Sequence, residues 1–303
     1  MELYEIANQA IFDEPVQYKG IKIYPITIKY YQLVKAASDV FSINIAGDTD
    51  IDLIGLPYME YLMKKAIKEP DFIHMWNIFN NVLQLSFQEQ MHSFKYDGDF
   101  LRLVVAVPTE KYNDETMCVY REKLKIYHEL TKDSYHELLN ELQIKHIGDE
   151  IKQLENEMFA FHTFNDNDFN DIKKIICFLN DIDDTIIEDV RWEAELKKAQ
   201  KIINEINNSK NPPALEDLID AVAYNLNKLP SEIQNMTVRR FDRYLDLEIK
   251  KENYKLCRQA ELSGTEFKRP LTHWLTTYKP KGRYATPSND GNGVQDVLNN
   301  KKE

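Results

Sequence analysis

The chain has 303 residues, of which 43% are hydrophobic and 29% are charged, and its formal net charge at pH 7 is −12. This length suits about two domains, and the composition is too apolar for a wholly disordered chain. An acidic surface repels phosphate backbones and anionic lipid headgroups, so we expect neither nucleic-acid nor membrane partners.

Two further features bear on the cellular setting. The three cysteines, Cys118, Cys177 and Cys257, are odd in number and far apart, which favours reduced thiols over a disulfide framework. The first residues show no basic segment followed by an apolar core, and no apolar run approaches the roughly 18 residues of a membrane helix. We therefore expect a cytoplasmic protein.

The N-terminal third mixes strand and helix patterns. Residues 16–26 alternate apolar and polar side chains around a glycine, which predicts a half-buried hairpin or edge strand. Thr27 is expected to cap the helix that follows, and the apolar stripe over residues 71–84 predicts another helix. Asp97-Gly98 separates two strand-like runs and is a strong hairpin signal.

After Pro108 the pattern becomes mostly helical. The apolar spacing predicts a helix over residues 168–179, a highly charged helix over 191–207, and a helix with inward positions from Leu215 to Leu226. Thr237 is expected to cap a long C-terminal helix. Gly264 provides a plausible stop for that helix.

These elements predict a mainly α fold, in which a small α+β N-terminal region with β-hairpins precedes a helical C-terminal region and a disordered tail. We place an α+β domain at residues 1–110, a helical middle region at 111–208 and a helical C-terminal domain at 209–278. The remaining segment, 279–303, is rich in Lys, Pro, Gly, Asn and Ser and cannot bury enough apolar area to order itself, so a flexible tail is expected.

The sequence contains no motif that indicates an enzyme. It has no Gly-x-x-x-x-Gly-Lys-Ser/Thr loop, no Gly-x-Ser-x-Gly elbow, and its single Gly-x-Gly lies in the polar tail. His128 and His136 are eight residues apart, too far along a helix to share one ion. We predict no catalytic residues, no cofactor and no metal ligands.

Residues 166–170 imitate the start of a calcium loop. The sixth position of that loop is Asp171, where glycine is needed, and the twelfth is Cys177, where a bidentate glutamate is needed. Helix capping by the same polar residues is the simpler interpretation.

The C-terminal part contains a local excess of positive charge. Residues 239–284 carry twelve Lys/Arg against six Asp/Glu. A solvated helix face with mixed charges explains this segment, and a basic docking surface for an acidic partner is the alternative. Arg239, Arg240 and Arg243 only loosely resemble a DNA recognition helix because Asp242 and other acidic residues lie among them, so DNA binding is disfavoured.

A series of short motifs follows one another between Pro213 and Leu275. They are Ala214-Leu-Glu-Asp-Leu-Ile-Asp220, Ile233-Gln-Asn-Met-Thr-Val-Arg-Arg-Phe241, Tyr254-Lys-Leu256, Ala260-Glu-Leu-Ser-Gly264 and Thr272-His-Trp-Leu275. This order resembles a family of tail-morphogenesis proteins from phages of Gram-positive bacteria, described as tail assembly chaperones or baseplate-associated proteins. Segments at 23–29 and 169–176 are similar to the same family, although Leu262 replaces the methionine usual in its turn motif.

The resemblance implies a non-enzymatic tail assembly chaperone that binds the tape measure protein, or the tail-initiation complex with its baseplate hub, in the host cytoplasm. A structural baseplate or tail component retained in the virion is the first alternative. A nucleic-acid-binding regulator that uses residues 239–284 is the second. Arg239, Arg240, Arg243 and Trp274 are the candidate partner-binding residues. Trp274 either pins the last segment to the core or docks a partner.

Overall fold

The computed structural model describes residues 8–132, 138–186 and 213–265, with isolated positions at 192, 195, 196, 198, 199, 202, 267, 271 and 273–275. Helices predominate, and two small antiparallel sheets lie toward the N-terminus, so the mainly α fold with a small β part is confirmed. The tail at 279–303 lies outside the described residues, and so does the charged helix at 191–207 except for single positions.

The first hairpin forms where the alternating pattern predicts it. Strand β1 (Val16–Tyr18) pairs antiparallel with β2 (Ile21–Ile23), and the two residues of the turn, Lys19 and Gly20, both have positive φ. A Cβ at Gly20 would lie 2.2 Å from the ring of His162, so only glycine fits at this position.

Three helices follow the hairpin: α1 (Tyr31–Phe41), α2 (Tyr58–Lys68) and α3 (Ile73–Phe87). The predicted cap at Thr27 is wrong. Thr27 precedes a short 3-10 turn over Ile28–Tyr30 without a side-chain capping bond, and the α-helix begins only after that turn.

The second sheet has three antiparallel strands in the order β3-β4-β5. The predicted hairpin is present as β3 (Met91–Asp97) and β4 (Phe100–Pro108), joined by Gly98 and Asp99. The third strand, β5 (Phe159–Phe164), lies where the sequence was interpreted as mostly helical, and it pairs with the other edge of β4.

Helices α4 (Asp114–Lys132) and α5 (Leu138–Met158) connect β4 to β5 as a helical hairpin. Helix α6 (Asp166–Asn180) then begins with a capping box between Asn165 and Asp168. Of the calcium-like residues, Asp168 takes part in this cap, so the capping interpretation is confirmed for that residue.

The main core lies between the three-stranded sheet and the surrounding helices. Its fully buried large side chains include Phe41, Met59, Leu62, Phe79, Leu83, Phe87, Phe164 and Phe169. This core draws on β5 and α6 as well as on the first hairpin, so it contains residues from both the predicted N-terminal domain and the predicted middle region.

The last described helices are α7 (Leu215–Leu226), the single turn α8 (Pro230–Ile233) and α9 (Val238–Leu262). They form a second apolar cluster, which also takes in Ile28 from the N-terminal part. Within the described ranges, no helix combines the length and the hydropathy needed to cross a bilayer.

Candidate partner-binding site

Helix α9 is fixed to the rest of the chain at its N-terminus. The backbone N–H of Ile28 donates to the carbonyl of Met236 at 2.8 Å, and the N–H of Val238 donates to the carbonyl of Ile26 at 2.9 Å. The predicted cap at Thr237 is confirmed, since its hydroxyl accepts the N–H of Arg240. The start of α9 therefore has a defined position on the main core.

Two of the four predicted partner-binding residues contribute to this anchor. The guanidinium of Arg239 lies 4.3 Å above the ring of Phe178 and donates to the Phe178 carbonyl. Arg240 lies 2.7 Å from a carboxylate oxygen of Asp13 and donates to the carbonyl of Ile11 at 2.6 Å. Both cations thus have partners within the chain.

The other face of the same turn makes a third contact. Asp242 lies 2.5 Å from the ammonium of Lys35 and accepts the hydroxyl of Tyr31 at 3.1 Å. Burial, together with the nearby charge of Asp242, raises the pKa of Tyr31 above its usual value. The tyrosine stays protonated and remains a hydrogen-bond donor at physiological pH.

Arg243 differs from its neighbours because it is exposed, and its side chain forms no ion pair or hydrogen bond with the described residues. Of the seven Lys and Arg residues of this segment that the structure describes, the other six have partners within the chain. Lys250, Lys251, Lys255 and Arg258 each pair with a carboxylate three or four residues away on α9.

Beyond the anchor, α7 and α9 leave an open apolar groove between them. Its volume is about 550 Å³. The apolar lining consists of Ala221, Val222, Leu226, Tyr244, Leu245, Leu247, Ile249 and Trp274. We call this feature the α7–α9 groove.

The two helices that line the groove differ in length. At 1.5 Å per residue, α7 with 12 residues spans about 18 Å and α9 with 25 residues spans about 37 Å. The apolar stripe of α9 therefore extends past the end of α7. Ile249, on that stripe, is 48% exposed.

Charged side chains border the apolar floor. On α9, the ammonium of Lys251 lies 3.3 Å from Glu248, and that of Lys255 lies 2.5 Å from Glu252. Glu248, Lys251 and Glu252 belong to the lining, whereas the α7 part of the lining, Ala221, Val222, Asn225 and Leu226, carries no charge. An apolar floor with a polar border is the usual anatomy of a reversible protein interface.

Trp274 forms one wall of the groove. Its side chain is half-buried, and its ring lies 5.5 Å from that of His273, which in turn lies 5.4 Å from the ring of Tyr254. The structure thus places Trp274 against α9 and within the apolar lining at the same time.

Sequence reasoning selected one groove residue, Trp274, and missed the rest. Val222 and Leu226 were expected to face inward, and their helical spacing gave no sign that the space beside them is open. The apolar spacing of these helices is the same for a buried face and for a groove, so it gave no signal that separates the two.

The part of the chain that the structure describes holds no group of three His, Cys, Asp or Glu side chains arranged to bind a metal ion. No family model, curated protein or solved structure matches the chain. The resemblance to phage tail-morphogenesis proteins therefore stays a prediction that is based on the order of the motifs.

Proposed function

We propose that the protein is a non-enzymatic phage tail assembly chaperone that acts in the host cytoplasm on the tape measure protein or the tail-initiation complex. The α7–α9 groove is the observation that carries this proposal. It offers an apolar floor with a charged border on an acidic chain, which suits reversible capture of an amphipathic helix.

The charges on the walls favour a client helix of a particular kind. The charged side chains of the lining are Glu248, Glu252 and Lys251, so carboxylates outnumber ammonium groups there, and a helix with Lys or Arg beside its apolar stripe complements them. Long coiled-coil clients expose such stripes before they assemble. Covering a stripe in the groove, while the charges stay in water, keeps the complex soluble and permits release.

The test is to co-express the chain with the tape measure protein of the same phage and to measure both co-purification and solubility. Ile249→Glu places a carboxylate on the apolar floor, and we expect client binding to fall by about 10- to 100-fold. Leu262→Glu is the matched control, since Leu262 is 83% exposed on the same helix and does not line the groove. Equal binding by both variants would contradict a role for the groove.

The alternative is a structural baseplate or tail component, and it predicts a different fate for the protein. Quantitative mass spectrometry of purified particles and of the infected-cell lysate separates the two. Abundance in the lysate and absence from particles supports the chaperone. A fixed copy number in particles supports the structural component.

A further inference from the structure

The chain reverses direction after α9. The N–H of Thr265 donates to the carbonyl of Ala260 at 3.0 Å, and Gly264 has φ +92°, which is the usual arrangement at a helix C-terminus. Farther along, Trp274 lines the groove beside residues 244–253. Trp274 therefore lies about 18 Å back along α9 from the C-terminal end of that helix.

We call residues 271–275 the return segment. The ring of His273 lies beside that of Tyr254 on α9, and Trp274 lines the groove. The hydrogen bond from the N–H of Leu275 to the His273 ring, at 3.1 Å, stays within the segment. The contacts that hold His273 and Trp274 against α9 are thus contacts of aromatic rings.

This mode of attachment has a direct consequence. Apolar and aromatic contacts impose little directionality, so another apolar side chain can take the same place. Leu275 is 65% exposed, and Trp274 is only half-buried. The groove is therefore bounded at one end by an indole that is held by aromatic and apolar contacts and remains partly exposed.

We propose that the return segment is an intramolecular ligand of the α7–α9 groove, and that an incoming apolar helix must displace Trp274 to bind there. The identity of that helix as a tail protein rests on the proposed function. The contact is autoinhibitory because a segment tethered to the groove competes at high effective concentration.

The experiment uses a fluorescein-labelled peptide with the sequence of residues 267–280, titrated into the full-length chain and followed by fluorescence anisotropy. In the wild type, the tethered Trp274 occupies the groove, so the peptide binds weakly. In Trp274→Ala the site is vacant, and we expect binding at least about tenfold tighter. Equal affinities for the two proteins, or binding to neither, would overturn the proposal.

Two variants show where the peptide binds. Adding Ile249→Glu to Trp274→Ala should abolish the gain, because it places a carboxylate on the groove floor. Tyr224→Ala removes an aromatic side chain that is 87% exposed on α7 outside the groove lining, and should behave as the wild type. Circular dichroism of each variant identifies any loss of folding.

The peptide assay needs no tail protein. It therefore tests the intramolecular ligand independently of the chaperone role. If the peptide binds Trp274→Ala while no tail protein binds either form, the intramolecular ligand stands and the chaperone role fails. If the tape measure protein binds through the groove and Trp274→Ala changes neither assay, the chaperone role stands and the intramolecular ligand fails.

Discussion

At the scale of single residues, Asp48 shows how one buried carboxylate organises a loop. Its side chain is 2% exposed, accepts the hydroxyl of Tyr61 at 2.6 Å and the backbone N–H of Asp50 at 2.9 Å, and pairs with Lys65. Burial alone would raise the pKa of Asp48, but these donors outweigh it and lower the pKa to about 2. No sequence pattern singled out this aspartate.

The lowered pKa predicts how stability depends on pH. In the unfolded chain Asp48 titrates near 4, so its contribution is fully present above that pH and is lost as the pH falls toward 2. We expect Asp48→Asn to lower the free energy of unfolding by about 2 kcal/mol at pH 7 and by much less at pH 2. Urea unfolding at the two pH values measures this.

Asp52→Asn is the control for that experiment. The Asp52 side chain is 86% exposed and lies 3.4 Å from Lys68, so its removal should change the free energy of unfolding by less than about 0.5 kcal/mol. An Asp48→Asn loss of the same size at both pH values would show that packing, and not the charge, is responsible.

At the scale of elements, two threonines with the same predicted role behave differently. Thr237 caps α9 and donates its hydroxyl to Asp13 at 2.8 Å, whereas the Thr27 side chain makes no capping bond. The residues that follow each threonine have the pattern that is typical of a helix N-terminus. The difference arises because Thr27 lies before a 3-10 turn, where the following amides are arranged differently.

These two threonines provide a matched pair of variants. Thr237→Val removes both the cap and the bond to Asp13, so we expect it to cost about 1–2 kcal/mol of stability. Thr27→Val should stay within about 0.5 kcal/mol of the wild type. Thermal or urea unfolding of both variants measures the difference, and similar losses would argue against the anchor at the start of α9.

Local signals located most elements but not all of them. The turn at Gly98, the cap at Thr237 and the apolar stripe of α6 depend on neighbouring residues, and each was predicted. Strand β5 was missed. It follows a long helix directly, and its six residues become a strand through pairing with β4. Such pairing depends on residues far away in the sequence.

At the scale of the whole molecule, the α4–α5 hairpin stands apart from the two larger apolar clusters. Its contact with the sheet is a small cluster at the base, formed by Ala106, Met158 and Phe159 with neighbouring side chains. Beyond this base the two helices pack chiefly on each other. Val119 and Ile126 on α4 are 40% and 46% exposed.

This arrangement predicts uneven protection of backbone amides. We expect amides near Ile126 in α4 to exchange with deuterium at least about tenfold faster than those of Leu103 and Val105 in β4. Hydrogen-exchange mass spectrometry measures both segments in one experiment. Equal protection of the amides in α4 and β4 would indicate that another surface, such as a second copy of the chain, covers the α4–α5 hairpin.

The sequence by itself determined the helix-rich fold class, the two hairpins, the caps of α6 and α9 and the acidic character of the chain. These features follow from composition and from residues close together along the chain. Tertiary structure decided the roles of the charged and apolar surfaces. Arg240 is an anchor because Asp13 lies beside it, and the apolar side chains of α9 line a groove because α7 and Trp274 lie beside them without filling the space between. Both depend on which distant residues meet, and the periodicity of one helix does not encode that.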